Sequence, residues 1–266
     1  MYASLLGMSG ALHLGTFDQP EKETTWLAKL ARLSVERMRK LVIAHRGASS
    51  LARENTLEAF QKAIDLRADM IEFDVRRTRD QRYVIHHDPH IAGKPLDEMT
   101  LREVREIARS LGFHVPELEE VLALARGRIR LDIELKEEGY EREIVHLVGS
   151  TLAEGDFVVS SFHAGCLARV KQCRSGVRTG LVFKDAAALT TDILEGDTDW
   201  LIPARNLAAG ELLERMSRSG KKIAVWTVND TEQMKRLLED DRIEGIITDR
   251  TDAALAVREG LEAPNG

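Results

Sequence analysis

The sequence predicts an α/β fold, a (β/α)8 TIM barrel, on three observations. Strand and helix signals alternate after residue 40, giving eight strand–helix units over roughly 220 residues, the size of one such barrel. Short apolar runs end in ionisable groups: His45-Arg46-Gly47, Glu72-Phe73-Asp74, His87-Asp88 and Glu134-Leu135-Lys136. A strand with a charged end is poor design for stability alone, and it is the usual layout of a barrel enzyme whose working groups ride on strand ends. The chain of 266 residues, 43% hydrophobic, supports one substantial core. A doubly wound parallel sheet is the rival arrangement, and periodicity alone does not separate the two.

Residues 1–40 read as an N-terminal helical extension and 41–266 as the barrel. Trp26 to Met38 carries Leu27, Leu30, Leu33 and Val35 at helical spacing, so it packs under the barrel or against a second subunit as a homodimer contact. Met38 offers an alternative start. Leu41 to Ala44 is strand one. Asn55-Thr56-Leu57-Glu58 reads as a capping box opening a helix to about Arg67. Met70 to Val75 is strand two, Leu118 to Ala125 a helix and Ile129 to Leu135 strand three. Tyr140 to Leu152 is helical; Phe157 to Phe162 is strand four, with a helix to Cys173. Thr179 to Phe183 and Trp200 to Ala204 are strands five and six, and Ala209 to Ser219 is a helix. Ile223 to Val228 is strand seven; Thr231 to Glu239 is a helix capped by Asn229 or Asp230. Gly245 to Thr248 is strand eight, and the last helix covers about Asp252 to Glu259.

Tyr83-Val84-Ile85 departs from the repeat. It follows strand two by only about seven residues, whereas a parallel crossover needs a dozen or more. It is therefore expected to return antiparallel, turning near Asp80-Gln81 and carrying His87 toward the carboxylates. Residues 89–116 then form a short lid insertion over the barrel mouth, helical over Leu101 to Leu111.

The balance of 38 basic and 44 acidic residues, net −6, gives no general attraction to nucleic acid or anionic lipid. No run of about 18 apolar residues provides a transmembrane segment. The opening MYASLLGMSGALHL lacks a basic leading region and is not read as a signal peptide. Cys166 and Cys173, if on one helix, lie about 10 Å apart, too far for a disulfide. Free thiols fit a reducing, cytoplasmic setting.

Glu72 and Asp74, two apart on a strand, face one side, and Ile71, Phe73 and Val75 face the helices. Two carboxylates on one face repel unless a cation or proton lies between them. Asp132, Glu134 and Lys136 repeat the pattern on strand three. With Glu134 beside strand two, the three carboxylates make an oxygen site for a divalent cation, Mg²⁺ or Ca²⁺ rather than Zn²⁺. The competing reading is an internal salt-bridge layer without metal. His45 and His87 are candidate general acids or bases, and Arg46 can fork onto phosphate oxygens. Gly47 lets the backbone turn sharply. Asp88 orients His87 or stabilises the hairpin end. Trp226 lines a pocket for a glycerol or head group, or packs in the core. Asn229, Thr248 and Asp249 read as helix caps.

Taken in order, HRGASSLARENTLEAF (45–60), IEFDVRRTRDQRYVIHHD (71–88), LDIELK (131–136), VVSSF (158–162), VWTVND (225–230) and GIITD (245–249) resemble the glycerophosphodiester phosphodiesterase family of phospholipase-C-like barrels. The ordered set covers nearly all of 41–250. The resemblance implies His45 and His87 as the acid–base pair, and Glu72, Asp74 and Glu134 as holders of a divalent cation. It implies phosphate contacts from Arg46 and Lys136, with Glu54 and Asn55 shaping the adjoining loop; Glu54 and Trp226 complete the expected substrate-binding set. Arg53 stands where the family usually has proline. After His87-Asp88 the family's threonine-rich, Arg-containing stretch is missing and the insertion is short, so substrate identity is the feature the resemblance transfers least directly.

The implied reaction is metal-assisted cleavage of a small-molecule phosphodiester to glycerol 3-phosphate and an alcohol such as choline or ethanolamine. The attacking group is water or the glycerol 2-hydroxyl. Two alternatives stand beside it: a lysophospholipase D-like activity, with Leu96, Met99, Leu101, Leu111 and Phe113 as candidate apolar mouth lining, and a catalytically silent barrel that binds phosphorylated ligands.

Overall fold

A computed structural model describes residues 39–263. The described residues from Lys40 onward belong to the second of the two units into which the chain divides at 39/40. The expected helix over 26–38, and the dimer contact attached to it, lie outside the described residues. Eight parallel strands form the framework of the second unit: β1 (Leu41–His45), β2 (Met70–Arg77), β3 (Arg130–Leu135), β4 (Phe157–Ser161), β5 (Arg178–Phe183), β6 (Trp200–Pro203), β7 (Lys222–Val225) and β8 (Gly245–Thr248). β1 pairs with β2 on one side and β8 on the other, so the ring closes and the doubly wound rival is excluded. The helices are α1 (Leu57–Asp65), α2 (Leu118–Ala125), α3 (Glu141–Thr151), α4 (Ala164–Cys173), α5 (Thr191–Glu195), α6 (Gly210–Arg218), α7 (Thr231–Glu239) and α8 (Thr251–Glu262), one after each strand.

The period-two pattern explains the layering. Ile71, Phe73 and Val75 of β2 and Leu131, Ile133 and Leu135 of β3 are fully buried against the helices. Each such side chain contributes about 1.5–3 kcal/mol by leaving water. Inside the ring, Leu41, Ile43, Met70, Trp200 and Ile202 fill the lower barrel. The ionisable residues take the remaining inward positions near the strand ends, at the face where barrel enzymes carry their sites.

Several boundaries move. β7 ends at Val225 rather than Val228, because Trp226 makes only a single isolated bridge to Ala204, just past β6, and Val228 donates instead to Ile247 O at 2.9 Å. The short α5 was not expected. It starts at the cap Thr190, whose hydroxyl accepts from Ile193 N. The proposed capping box at Asn55 does not form. Thr56 is the N-cap and accepts from Ala59 N at 3.3 Å, which frees Asn55 for another role.

The hairpin forms as expected. Tyr83–Ile85 returns antiparallel along β2 with Val75 opposite Ile85 and Arg77 opposite Tyr83, and Gln81 sits in the turn with φ 59°. His86 N then donates to Asp74 O at 3.0 Å, which brings His87 back to the level of the acidic residues. The insertion helix Leu101–Ser110 starts at a Thr100–Glu103 capping box. Leu96, Met99 and Val104 pack with Val84 in a small separate core. Leu96 and Met99 therefore turn inward and do not line the mouth. Cys166 and Cys173 are free thiols on α4.

Candidate active site

The site begins at the turn after β1. Arg46 and Gly47 both adopt positive φ, 54° and 85°. A non-glycine residue there costs about 1–2 kcal/mol, offset by a hydrogen bond from Arg46 N to Glu72 Oε2 at 3.0 Å. Position 47 has to be glycine for a second reason: an added Cβ would lie 2.7 Å from the Ala59 backbone, where α1 crosses the loop. The sharp turn sets Arg46 beside the acidic residues. Its Nε lies 3.1 Å from Asp74 Oδ2, and its Nη1 donates to both oxygens of Glu54 at 3.0 Å. Glu54 thus touches Arg46 and does not line the cavity.

Glu72, Asp74 and Glu134 converge. β2 and β3 run in register with Asp74 opposite Glu134, and one oxygen from each of the three carboxylates lies within 4.8 Å of the others. This is the one such cluster among the described residues. Burial, then the neighbouring Asp74 and Glu134 charges, raise the Glu72 carboxyl well above the ordinary glutamate range. Burial and Asp74 also raise Glu134, against the pull of Lys136. Asp74 goes the other way: burial pushes it up, but Lys136, Arg46 and a hydrogen bond from Asn55 outweigh that and hold it ionised. The difference follows contact. Lys136 Nζ sits 3.2 Å from Asp74 and 2.6 Å from Glu134, whereas Glu72 Oε1 is buried with no hydrogen-bond partner among the described residues. Asn55 Nδ2 donates to Asp74 Oδ2 at 2.8 Å, so its buried side chain braces the cluster instead of capping a helix.

The two histidines reach the same cavity, of about 330 Å³. His45, at the end of β1, has Nδ1 2.6 Å from Asp249 Oδ1 and Nε2 3.9 Å from Glu72 Oε2. Asp249 also accepts from Ser49 Oγ at 3.2 Å and from Asn229 Nδ2 at 2.5 Å. Although burial opposes it, these bonds, led by the one with His45, hold the Asp249 carboxyl down at about 2. His87 has Nδ1 2.7 Å from Asp88 Oδ1, and its backbone carbonyl accepts from Arg76 Nε at 2.6 Å. Arg76 is in turn held by Glu137 at 2.7 Å.

Sequence reasoning missed Asp249, Asn229 and Arg76. Asp249 and Asn229 read as helix caps, but α7 is capped by Asp230, and Asn229 and Asp249 form a bonded chain behind His45. The signal that could have found them is the order of strands: in a closed barrel β8 neighbours β1. Asp132, on the same inward row, donates nothing and accepts from Ser160 Oγ at 2.6 Å; burial raises its carboxyl to about 7. The far wall of the cavity is apolar, from Val182, Ile202, Trp226 and Ile247. Phe162 stands edge-on to Trp226 at 5.5 Å, and Trp226 Nε1 donates to Ile202 O at 3.0 Å.

Comparison with known proteins points the same way. The model of the glycerophosphoryl diester phosphodiesterase family matches residues 45–253. A glycerophosphodiester phosphodiesterase of Caldanaerobacter subterraneus subsp. tengcongensis is 30% identical over 243 residues, covering 84% of this chain and 100% of that protein. The crystal structure of a glycerophosphodiester phosphodiesterase from Thermotoga maritima superposes with a TM-score of 0.68 at 26% identity, covering 82% of this chain and 98% of the other. An Oleispira antarctica phosphodiesterase in complex with sn-glycerol-3-phosphate shares the fold, with a TM-score of 0.75 at 20% identity over 84% of this chain and 98% of that one. With the family match spanning both histidines and all three clustered carboxylates, the chain belongs to the glycerophosphoryl diester phosphodiesterase family.

Proposed function

We propose that this protein is a metal-dependent phosphodiesterase that hydrolyses glycerophosphodiesters to glycerol 3-phosphate and an alcohol, with His45 and His87 as its acid–base pair. The observation that carries the reading is the convergence of three buried carboxylates on a cavity that both imidazoles line. The donor set fits a divalent cation. All donors are carboxylate oxygens, the preference of Mg²⁺ and Ca²⁺, and Glu72 Oε1 is a buried acceptor left without a hydrogen-bond partner among the described residues. Glu72, Asp74 and Glu134 would hold the ion. When bound, it supplies Lewis-acid polarisation of the phosphoryl group and eases deprotonation of the attacking hydroxyl or water.

The rest of the chemistry falls to the chain's own side chains. One imidazole takes the proton of the attacking oxygen as the new P–O bond forms. The other gives a proton to the departing alkoxide as the old P–O bond breaks. Asp249 and Asp88 each hold one Nδ1, which leaves both Nε2 atoms for these transfers. Arg46 and Lys136 offset charge developing on the equatorial oxygens. Trp226 and Phe162 form the apolar side of the cavity, against which the carbon skeleton of a substrate packs.

The test is release of glycerol 3-phosphate from glycerophosphocholine by wild type and His87→Ala. Wild type should turn over and the variant should lose two or more orders of magnitude. No release by wild type from glycerophosphocholine or glycerophosphoglycerol under any divalent cation would indicate a silent barrel, and near-normal turnover by the variant would remove His87 from the mechanism.

A further inference from the structure

Lys184 lines the same cavity yet takes no part in the chemistry above. It follows Phe183 at the end of β5, is exposed, and its ammonium finds no hydrogen-bond or ion-pair partner among the described residues. The other two cations of the cavity each have carboxylate partners: Arg46 pairs with Glu54 and Asp74, Lys136 with Asp74 and Glu134. β5 stands four places from β1 in the closed ring, so Lys184 lies opposite the His45 strand and two strands beyond β3, which carries Glu134. On that half of the cavity it is the single charge, set among Val182, Ile202, Trp226 and Ile247. An unpaired positive charge beside a low-dielectric wall attracts anions and repels cations with little local compensation.

We propose that, with a phosphoryl group held on the side of β1, β2 and β3, the departing alcohol extends toward β5, where Lys184 determines specificity. It selects diesters whose alcohol half bears an anion, a carboxylate or a further phosphate, and it disfavours cationic alcohols such as choline. The proposal rests on the phosphodiesterase reading above. It goes beyond that reading by ranking substrates by the charge of the alcohol.

Three probes separate the cases: bis(glycerophospho)glycerol, whose departing alcohol is anionic, glycerophosphoglycerol, whose alcohol is neutral, and glycerophosphocholine. The quantity read is kcat/KM for the anionic and cationic substrates, each divided by that for the neutral one, so that any general loss of folded enzyme cancels. Wild type should rank anionic over neutral over cationic. Lys184→Glu should lower the anionic-to-cationic ratio by about tenfold or more, and Lys184→Gln by about threefold. In wild type the same ratio should shrink at 1 M salt, where the screening length falls to about 3 Å. A ratio in both variants within twofold of wild type would overturn the role of Lys184 and leave the phosphodiesterase reading standing. Failure of wild type to hydrolyse any of the three would overturn both.

Discussion

Replacing Glu72 by glutamine should have opposite effects on the metal-free and metal-loaded protein. The three clustered oxygens lie within 4.8 Å of one another, and at an effective dielectric constant of about 20 two like charges at that separation repel by about 3 kcal/mol. Lys136, 3.2 Å from Asp74 and 2.6 Å from Glu134, offsets part of this, which leaves a net gain of about 1–2 kcal/mol when the Glu72 charge is removed. Glutamine can still accept from Arg46 N. A domain of this size melts about 2–4 °C higher per kcal/mol, so Glu72→Gln should melt about 2–8 °C above wild type in chelator at a pH where Glu72 is ionised. The pH dependence has a definite sign. The folded Glu72 carboxyl is raised above its ordinary 4.5 and so binds its proton more tightly than the unfolded chain does. Metal-free wild type is therefore relatively favoured at low pH and loses that advantage as the pH rises from about 4.5 through the raised value. The variant's lead should be absent near pH 4 and complete where the raised group has fully ionised. A cation at a hundred times its Kd should stabilise wild type by about 2.7 kcal/mol and the variant by much less. Thermal melts with chelator and with Mg²⁺ or Ca²⁺ measure both arms. A variant that melts lower in chelator and gains as much from the ion as wild type does would refute the reasoning.

Other outcomes follow from the same geometry. Asp249→Asn removes the carboxylate charge paired with His45 Nδ1 and should lower kcat about a hundredfold with KM little changed, whereas Ser49→Ala, which loses only a 3.2 Å bond to Asp249, should stay within about threefold in steady-state assays. His45→Ala should lose activity by about 10²–10⁴-fold and keep the melting shift on adding cation, since the imidazole is not one of the clustered carboxylates. Gly47→Ala forces a side chain to φ 85° and to 2.7 Å from Ala59, at a cost of about 2–5 kcal/mol readable by urea denaturation.

Much of this was legible because it is local. Glu72 and Asp74 share a face by the two-residue period of a strand, and the apolar alternates Ile71, Phe73 and Val75 show which face is buried. The short gap before Tyr83 forces an antiparallel return, and that places His87. The parts that stayed hidden depend on closure of the ring. Asp249 meets His45 across 204 positions of sequence, and a Thr-Asp pair before a helix looks identical whether it caps that helix or supports a histidine. Asn55 misled in the same way: a polar residue before a helix reads as a cap, while its actual partner, Asp74, lies on the next strand. The insertion's Leu96 and Met99 could have been mouth or core, and only their packing with Val84 decides.

The most direct measurement of the central claim is anomalous diffraction from crystals soaked in Mn²⁺ as a reporter for the native cation. A single peak within about 2.0–2.6 Å of oxygens from Glu72, Asp74 and Glu134, with the His45 and His87 rings facing the cavity beside it, is the result expected. A saturating soak that leaves those three carboxylates without an ion, or places it elsewhere in the barrel, would contradict the account.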